Sequence, residues 1–203
     1  MKIICIGRNY IDHAKELGNS IPNEPLFFLK PETAIQPKKH PFFIPHFSSE
    51  IHYEVELVIR IGKAGKHIEE KFAHKYYSQI GLGIDFTARD IQEECKVKGL
   101  PWEKSKGFDG SAQISNTFIN KSDLEINNIS FTLKRNGEIV QYGNSSEMIF
   151  HFDKIISYLS KFYSLKIGDL IYTGTPSGVG KIEKGDILNG FIGKQEMFKV
   201  VVK

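Results

Sequence analysis

Apolar and polar positions alternate most regularly over residues 51–61, where Tyr53, Val55, Leu57, Ile59 and Ile61 interleave with His52, Glu54, Glu56, Val58 and Arg60. A period of two predicts a strand with one apolar face against the core. Shorter apolar runs predict buried strands over 2–6 and from Ile80 to Phe86. The stretch 129–142 alternates on either side of Asn136-Gly137, a dipeptide that favours the two-residue turn of a hairpin. Helix formers predict a short helix or turn from Asn9 to Leu17, a helix from Glu69 to Tyr77, and another from Ala88 to Lys98 that stops at Gly99. Ser145 or Ser146 is placed to cap a helix running to about Phe162. Leu26 to Leu29 is a brief apolar run stopped by Pro31. Six of the eight prolines fall within 19–48, so that stretch is expected as loop and extended chain. From Ile167 to Val202 the pattern is strand broken by glycine turns. Strands and helices do not alternate regularly. The expected class is therefore α+β and strand-rich, a mixed β barrel or roll with a few peripheral helices, rather than a βαβ array.

Composition adds bounds. At 203 residues the chain is not much longer than a typical domain of roughly 150, so one domain over 1–203 is expected. No repeat or low-complexity linker divides it. Charged residues make up 25% and hydrophobic ones 40%, the profile of a folded globule. A net charge of +3 is too small to point to nucleic acid or a membrane surface, and neither is expected as a partner. Cys5 and Cys95 form neither a disulfide framework nor a CxxC metal site. The apolar run after Met1 ends in Gly7-Arg8, too short for a signal peptide, and no stretch approaches the ~20 apolar residues of a membrane span. A soluble cytoplasmic protein is the expectation.

Candidate chemistry lies on the polar face of the 51–61 strand. Residues two apart share a face, so Glu54 and Glu56 point the same way, with Cβ atoms roughly 6.5–7 Å apart. They are either a solvated strand face or a pair held by a cation. Asp85 ends the apolar run Ile80–Ile84 and either caps the helix beginning near Ala88 or joins the two glutamates. Three carboxylates without a thiol suit Mg²⁺ or Mn²⁺ rather than zinc. An anionic substrate at such a site needs basic helpers, for which Arg8, Lys30, Arg89 and Lys106 are candidates. His13 and Glu16, three apart, are neighbours if their segment is helical, and a carboxylate beside an imidazole orients it as a base. The alternative is an ordinary surface pair. His40, His46, His67, His74 and His151 show no metal-ligand spacing. The loop Thr173-Gly174-Thr175-Pro176-Ser177-Gly178-Val179-Gly180 offers amides and hydroxyls to an anion but lacks a P-loop lysine, so it reads as a turn or a weak anion site.

Taken in order, these segments resemble the fumarylacetoacetate hydrolase family, most closely its short acylpyruvate hydrolase and oxaloacetate decarboxylase members. The matching pieces are Gly7-Arg8-Asn9-Tyr10 with His13 and Glu16, Phe28-Leu29-Lys30-Pro31, and His52-Tyr53-Glu54-Val55-Glu56-Leu57. They continue with Asp85-Phe86-Thr87-Ala88-Arg89-Asp90 and Gln92, Gly99-Leu100-Pro101-Trp102 with Lys106, Phe108-Asp109, and the 173–180 loop. The resemblance implies a mixed β-sandwich roll, usually a homodimer, with a metal held by Glu54, Glu56 and Asp85. It implies His13 and Glu16 as a water-activating dyad on a lid segment near 9–25. Lys106 would face the substrate, and Arg8, Lys30, Arg89, Gln92 and Thr175 would line its pocket. The implied substrate is a 2-oxo acid. The implied reaction is hydrolysis of the C–C bond of an acylpyruvate through a metal-bound enolate. Oxaloacetate decarboxylation and keto–enol tautomerisation or double-bond isomerisation are the alternatives.

Two positions depart from the family pattern. Gly110-Ser111-Ala112-Gln113 stands where a proline is frequent, and Glu32 follows Lys30-Pro31 where a small residue is commoner. Both are expected to reshape the pocket. Two other classes compete. An inverting glycosidase uses carboxylates at a comparable spacing but would be metal-independent. A non-catalytic module would use the acidic face for structural Ca²⁺.

Overall fold

The computed structural model describes residues 1–16, 18 and 20–203. In chain order its elements begin with β1 (Ile3–Gly7), α1 (Ile11–Glu16), β2 (Leu26–Lys30), β3 (Ile51–Tyr53), β4 (Val55–Ile61), α2 (Glu70–Ala73), β5 (Tyr77–Asp85) and β6 (Thr87–Ala88). Next come α3 (Arg89–Lys98), α4 (Glu103–Lys106), β7 (Ala112–Ile114), β8 (Ile119–Asn120), β9 (Ser130–Arg135) and β10 (Glu138–Asn144). The chain closes with α5 (Phe152–Phe162), β11 (Leu170–Tyr172), β12 (Gly180–Lys181), β13 (Ile187–Ile192) and β14 (Gln195–Val201). Leu17, assigned to the first helix from its sequence, lies outside the described residues.

Three curled sheets result, the strand-rich roll expected. The largest runs β2-β1-β11-β4-β5-β7, with β8 also paired to β5. A four-stranded sheet runs β10-β9-β13-β14, and a small one β12-β3-β6. Apart from the parallel β1–β11 pair, the named strands pair antiparallel. The main core lies between the large and four-stranded sheets and includes Leu57, Ile59, Ile80, Leu82, Phe131, Leu133, Leu188 and Phe198. Each such side chain contributes about 1.5–3 kcal/mol by leaving water. A second apolar layer of Ile3, Cys5, Val58, Ala112 and Tyr172 covers the other face of the large sheet. Both faces of β4 are therefore buried, which explains why Val58 sits among its polar positions. On β5, a Cβ at Gly83 would meet the Tyr172 ring at 2.5 Å. Glycine there lets that ring lie across the strand, where its hydroxyl donates to the Gln113 carbonyl at 2.6 Å.

Three expectations need correction. The 51–61 strand is two strands broken at Glu54: β3 pairs with β6 and β12, whereas β4 pairs with β5 and β11. The break has a local cause, since the Val55 N–H leaves the ladder to donate to the Gln141 side chain at 2.9 Å. The helix expected from Glu69 to Tyr77 is a single turn, α2. Tyr77 instead pairs with Ile61 to open β5, and the Tyr76 carbonyl accepts the Gly62 N–H. The helix expected from Ser145 starts only at Phe152. Asn144, not a serine, caps a lone 3-10 turn over Ser145–Glu147. The chain then runs extended past Asn9, whose carbonyl accepts from Ile149 N–H and whose Oδ1 accepts from Phe150 N–H. Long-range pairing overrides helix propensity in both places.

The hairpin stands as expected. Arg135 pairs with Glu138 across Asn136 and Gly137, both at positive φ (54° and 90°), as a type I′ turn requires. Helix α3 stops at Gly99, which sits in the left-handed region and caps it. Among the described residues no helix is long and apolar enough to cross a membrane.

Candidate active site

The break at Glu54 is what assembles the acidic cluster. Glu54 sits where the chain passes from the small sheet to the large one, and its carbonyl accepts the Asp85 N–H at 2.8 Å. Glu56 follows on β4, and Asp85 ends the neighbouring β5. One carboxylate oxygen from each of Glu54, Glu56 and Asp85 lies within 4.8 Å of the others, and all three residues are buried. The solvated-face reading of the glutamates fails. So does Asp85 as a helix cap: Ala88 holds the cap position of α3 and makes no side-chain cap bond.

Cations compensate the cluster from three sides. Lys106, at the end of α4, places Nζ 2.8 Å from Glu54 Oε2, 2.8 Å from Asp85 Oδ2 and 2.6 Å from Thr87 Oγ1. Arg89, the first residue of α3, pairs with Glu54 Oε1 and donates to Gln92 Oε1 at 2.5 Å. Lys30 lies 2.7 Å from Asp85 Oδ1 and donates to the Ser111 carbonyl and hydroxyl, both at 3.0 Å. Lys30 thus spends its ammonium on Asp85 and Ser111 and is not among the residues that line the cleft, although Phe28, two positions earlier on β2, is.

Burial pushes the Glu54 carboxyl up, but Lys106 and then Arg89 overcome it and hold it well below the usual carboxylate range. Burial, followed by the charges of Asp85 and Glu54, drives Glu56 the other way, only partly offset by the Gly174 N–H that donates to it at 2.7 Å. Lys106 is lowered by burial yet ends raised, because Asp85 and Glu54 favour its charge. Three cations formally balance the three carboxylates, but none of them pairs with Glu56, which burial and its acidic neighbours hold against ionisation. A converging all-oxygen donor set fits a hard divalent cation such as Mg²⁺ or Mn²⁺, and Glu54, Glu56 and Asp85 are the residues that would hold it.

The cleft over this cluster is further lined by Arg8, His13, Gln92 and Thr175. It leaves about 30 Å³, space for a couple of water molecules. Arg8 directly follows β1 with φ at +58°, an uncommon conformation for a side-chain-bearing residue and one that concentrates at functional sites. His13 is buried on α1, with Nδ1 3.4 Å from Glu16 Oε2. Burial lowers the His13 pKa, while Glu54 and Glu16 pull it back up, so the net shift favours neutral imidazole. Glu16 sits at the rim and also accepts the Gly178 N–H.

Phe28, Lys96 and Trp102 also face the cleft. Trp102 and Phe28 belong to motifs of the family resemblance but were given no role there. Lys96 shares a helix face with Arg89 and Gln92, a spacing of seven and four that was legible on its own. Gln141 on β10 carried no sequence signal. Its Oε1 accepts from Val55 N–H, and its Nε2 donates to the Pro176 carbonyl at 3.0 Å and to Thr175 Oγ1 at 2.9 Å. A backbone donor on one side and a backbone acceptor on the other fix the amide's orientation. Thr175 Oγ1 therefore accepts, and its own proton is free to point into the cleft.

Neither departure from the family pattern lines the cleft, contrary to expectation. Glu32 pairs with the terminal ammonium of Met1, and Ser111 is spent on Lys30 and the Lys106 carbonyl.

The profile described as fumarylacetoacetate (FAA) hydrolase C-terminal matches residues 2–199. The mitochondrial oxaloacetate tautomerase FAHD1 of Mus musculus is 46% identical over 185 residues, covering 91% of this chain and 83% of that protein. The mitochondrial oxaloacetate decarboxylase of Dictyostelium discoideum is 48% identical over 189 residues, covering 92% and 86%. The crystal structure of fumarylpyruvate hydrolase from Pseudomonas aeruginosa, in complex with Mn²⁺ and pyruvate, superposes with a TM-score of 0.92 at 36% identity, covering 100% of this chain and 89% of that one. The chain belongs to the fumarylacetoacetate hydrolase family.

Proposed function

We propose that this member of the fumarylacetoacetate hydrolase family interconverts the keto and enol forms of oxaloacetate at a divalent-cation site held by Glu54, Glu56 and Asp85. The observation that carries the reading is the buried imidazole of His13 in the same cleft as three converging carboxylates, where burial favours its neutral form. The names of the Mus musculus and Dictyostelium discoideum relatives favour oxaloacetate over acylpyruvate hydrolysis. A bound Mg²⁺ or Mn²⁺ would act as a Lewis acid on the substrate's keto oxygen.

The chain's own groups supply the proton chemistry. Glu16 engages His13 Nδ1, which leaves Nε2 as the transferring atom. In the keto-to-enol direction Nε2 takes a C3 proton, and the imidazolium so formed returns it to the C2 oxygen. The reverse direction runs the same steps backwards. Glu16 stabilises the imidazolium between them. Thr175 donates its free hydroxyl proton to an anionic oxygen of the substrate, and Arg8 offers a guanidinium to a carboxylate. α1 carries His13 to the cleft and is tied to the 173–180 loop by Glu16, the arrangement of a lid.

A second reading keeps the same residues and replaces the C3 proton by water: His13 then activates it against the distal carbonyl of an acylpyruvate. The likeness to fumarylpyruvate hydrolase supports it. The test follows enol absorbance, pyruvate formation and acetylpyruvate loss with Mg²⁺, with Mn²⁺ and with EDTA. Faster metal-dependent enol decay without extra pyruvate supports tautomerisation. Pyruvate release from oxaloacetate means decarboxylation, and acetylpyruvate loss means hydrolysis. Activity undiminished by EDTA overturns the cation site.

A further inference from the structure

Four cationic side chains line the cleft, and they are not equivalent. Arg89 and Lys106 are committed to Glu54 and Asp85. Arg8 makes no salt bridge among the described residues. Among the described residues Lys96 has a single ionic partner, Glu93, at 3.1 Å one turn earlier on α3. The Glu93 side chain is 63% exposed whereas that of Lys96 is 23% exposed. The lysine is thus sheltered at the cleft while its partner stands in water, where an ion pair contributes little and exchanges readily. Helical side chains lean back over the preceding turn, so Lys96 leans toward Gln92 and Arg89, not away from the acidic cluster. The wall at this end is aromatic: Phe28 and Trp102 meet edge to face, with centroids 5.9 Å apart. Such a wall cannot solvate a second negative charge; the cation over it, Lys106, 5.3 Å from the Phe28 ring, is already held by Glu54 and Asp85, whereas Lys96 lines the same cleft without that commitment.

A 2-oxo acid with one carboxylate needs one cation beyond those that hold the cluster. This cleft has two, Arg8 and Lys96. Resting on the oxaloacetate reading above, we propose that Lys96 is the subsite for the distal carboxylate of a dianionic 2-oxo acid, exchanging Glu93 for the substrate. Lys96 thereby selects dicarboxylates over acids with a neutral tail.

The test compares oxaloacetate with its C4 methyl ester, which keeps the reacting centre and loses the distal charge. In Lys96→Met the ratio of kcat/KM for oxaloacetate over the ester falls about ten- to a hundredfold, the worth of one charged hydrogen bond. Lys96→Arg retains most of the ratio. Glu93→Gln, which removes the competing partner from an exposed position, raises it. A ratio unchanged within twofold in Lys96→Met overturns the inference, as does an equal loss on both substrates. Should the wild type turn over neither compound, the oxaloacetate reading fails separately. Calorimetry with Mg²⁺ then decides, using malate and lactate as probes that differ in the distal carboxylate. A wild-type preference for malate that Lys96→Met abolishes supports the subsite. No preference, or no malate binding, overturns it.

Discussion

Glu16 accepts the Gly178 N–H with both carboxylate oxygens, at 3.1 and 3.2 Å. The same carboxylate lies against His13, so one group ties α1 to the 173–180 loop and orients the imidazole. Gly178 has a φ of +93°, and a Cβ there would meet the Val140 carbonyl oxygen at 2.4 Å. Any side chain must therefore push the loop away. Gly178→Ala is expected to break the latch, lowering kcat/KM at least tenfold and speeding proteolysis of the 11–18 segment. Wild-type kinetics and unchanged proteolysis would show that the latch is not needed for closure.

The pH profile follows from the same pair. Burial lowers the His13 pKa, so the neutral base persists below the ordinary imidazole value of about 6.5. The acid limb of kcat/KM is expected on the acid side of that value. Glu16 raises the pKa, both by its hydrogen bond and by its charge. Glu16→Gln should therefore shift the limb further to acid while lowering kcat by about 10²–10⁴-fold. For stability the sign is the same. The unfolded state binds the proton more tightly between the folded pKa and 6.5, so His13 costs stability as pH falls through that window. A limb moving toward neutrality in Glu16→Gln would contradict the assignment.

Gln141 links the strand break to the cleft. Gln141→Leu strands the buried Val55 N–H and the Pro176 carbonyl and is expected to cost about 1–3 kcal/mol. It also frees the Thr175 hydroxyl to rotate, so its kinetic cost should overlap that of Thr175→Val. The double variant then loses less than the product of the two single losses. Strict additivity would mean that Gln141 acts through stability alone.

What the chain reveals before folding divides along physical lines. Residue types in short register were legible: the Glu54–Glu56 alternation, Asp85 ending an apolar strand, His13 and Glu16 one turn apart, Asn136-Gly137, and Gly99 after α3. Each depends on neighbours within a few positions. What was illegible depends on partners far along the chain. Val55 breaks its strand for a residue 86 positions away. Asn9 redirects a chain 141 positions away, and so delays α5. The sign of Lys30 marked it as a helper, but only its contacts with Asp85 and with Ser111, 81 positions along the chain, decide that it serves the carboxylate.

Glu56 sets stability against function. Three buried carboxylates crowd one point, and Glu56 is the one whose ionisation burial and its neighbours oppose. Its folded pKa lies above the unfolded one, so the folded state binds the proton more tightly. As pH rises from the ordinary carboxylate value toward the folded value, that difference costs stability, and at neutral pH the metal-free protein carries the cost. Glu56→Gln removes the charge and keeps an oxygen to accept the Gly174 N–H. In EDTA the variant should melt higher than wild type, by about 2–4 °C for each kcal/mol relieved. With Mg²⁺ or Mn²⁺ the order should reverse, because wild type gains binding free energy that the variant cannot. Calorimetric titration should show weaker binding of either ion, and turnover should fall at least a hundredfold. A variant less stable than wild type in EDTA would mean that Glu56 is already neutralised within the fold. Undiminished ion affinity would remove Glu56 from the ligand set.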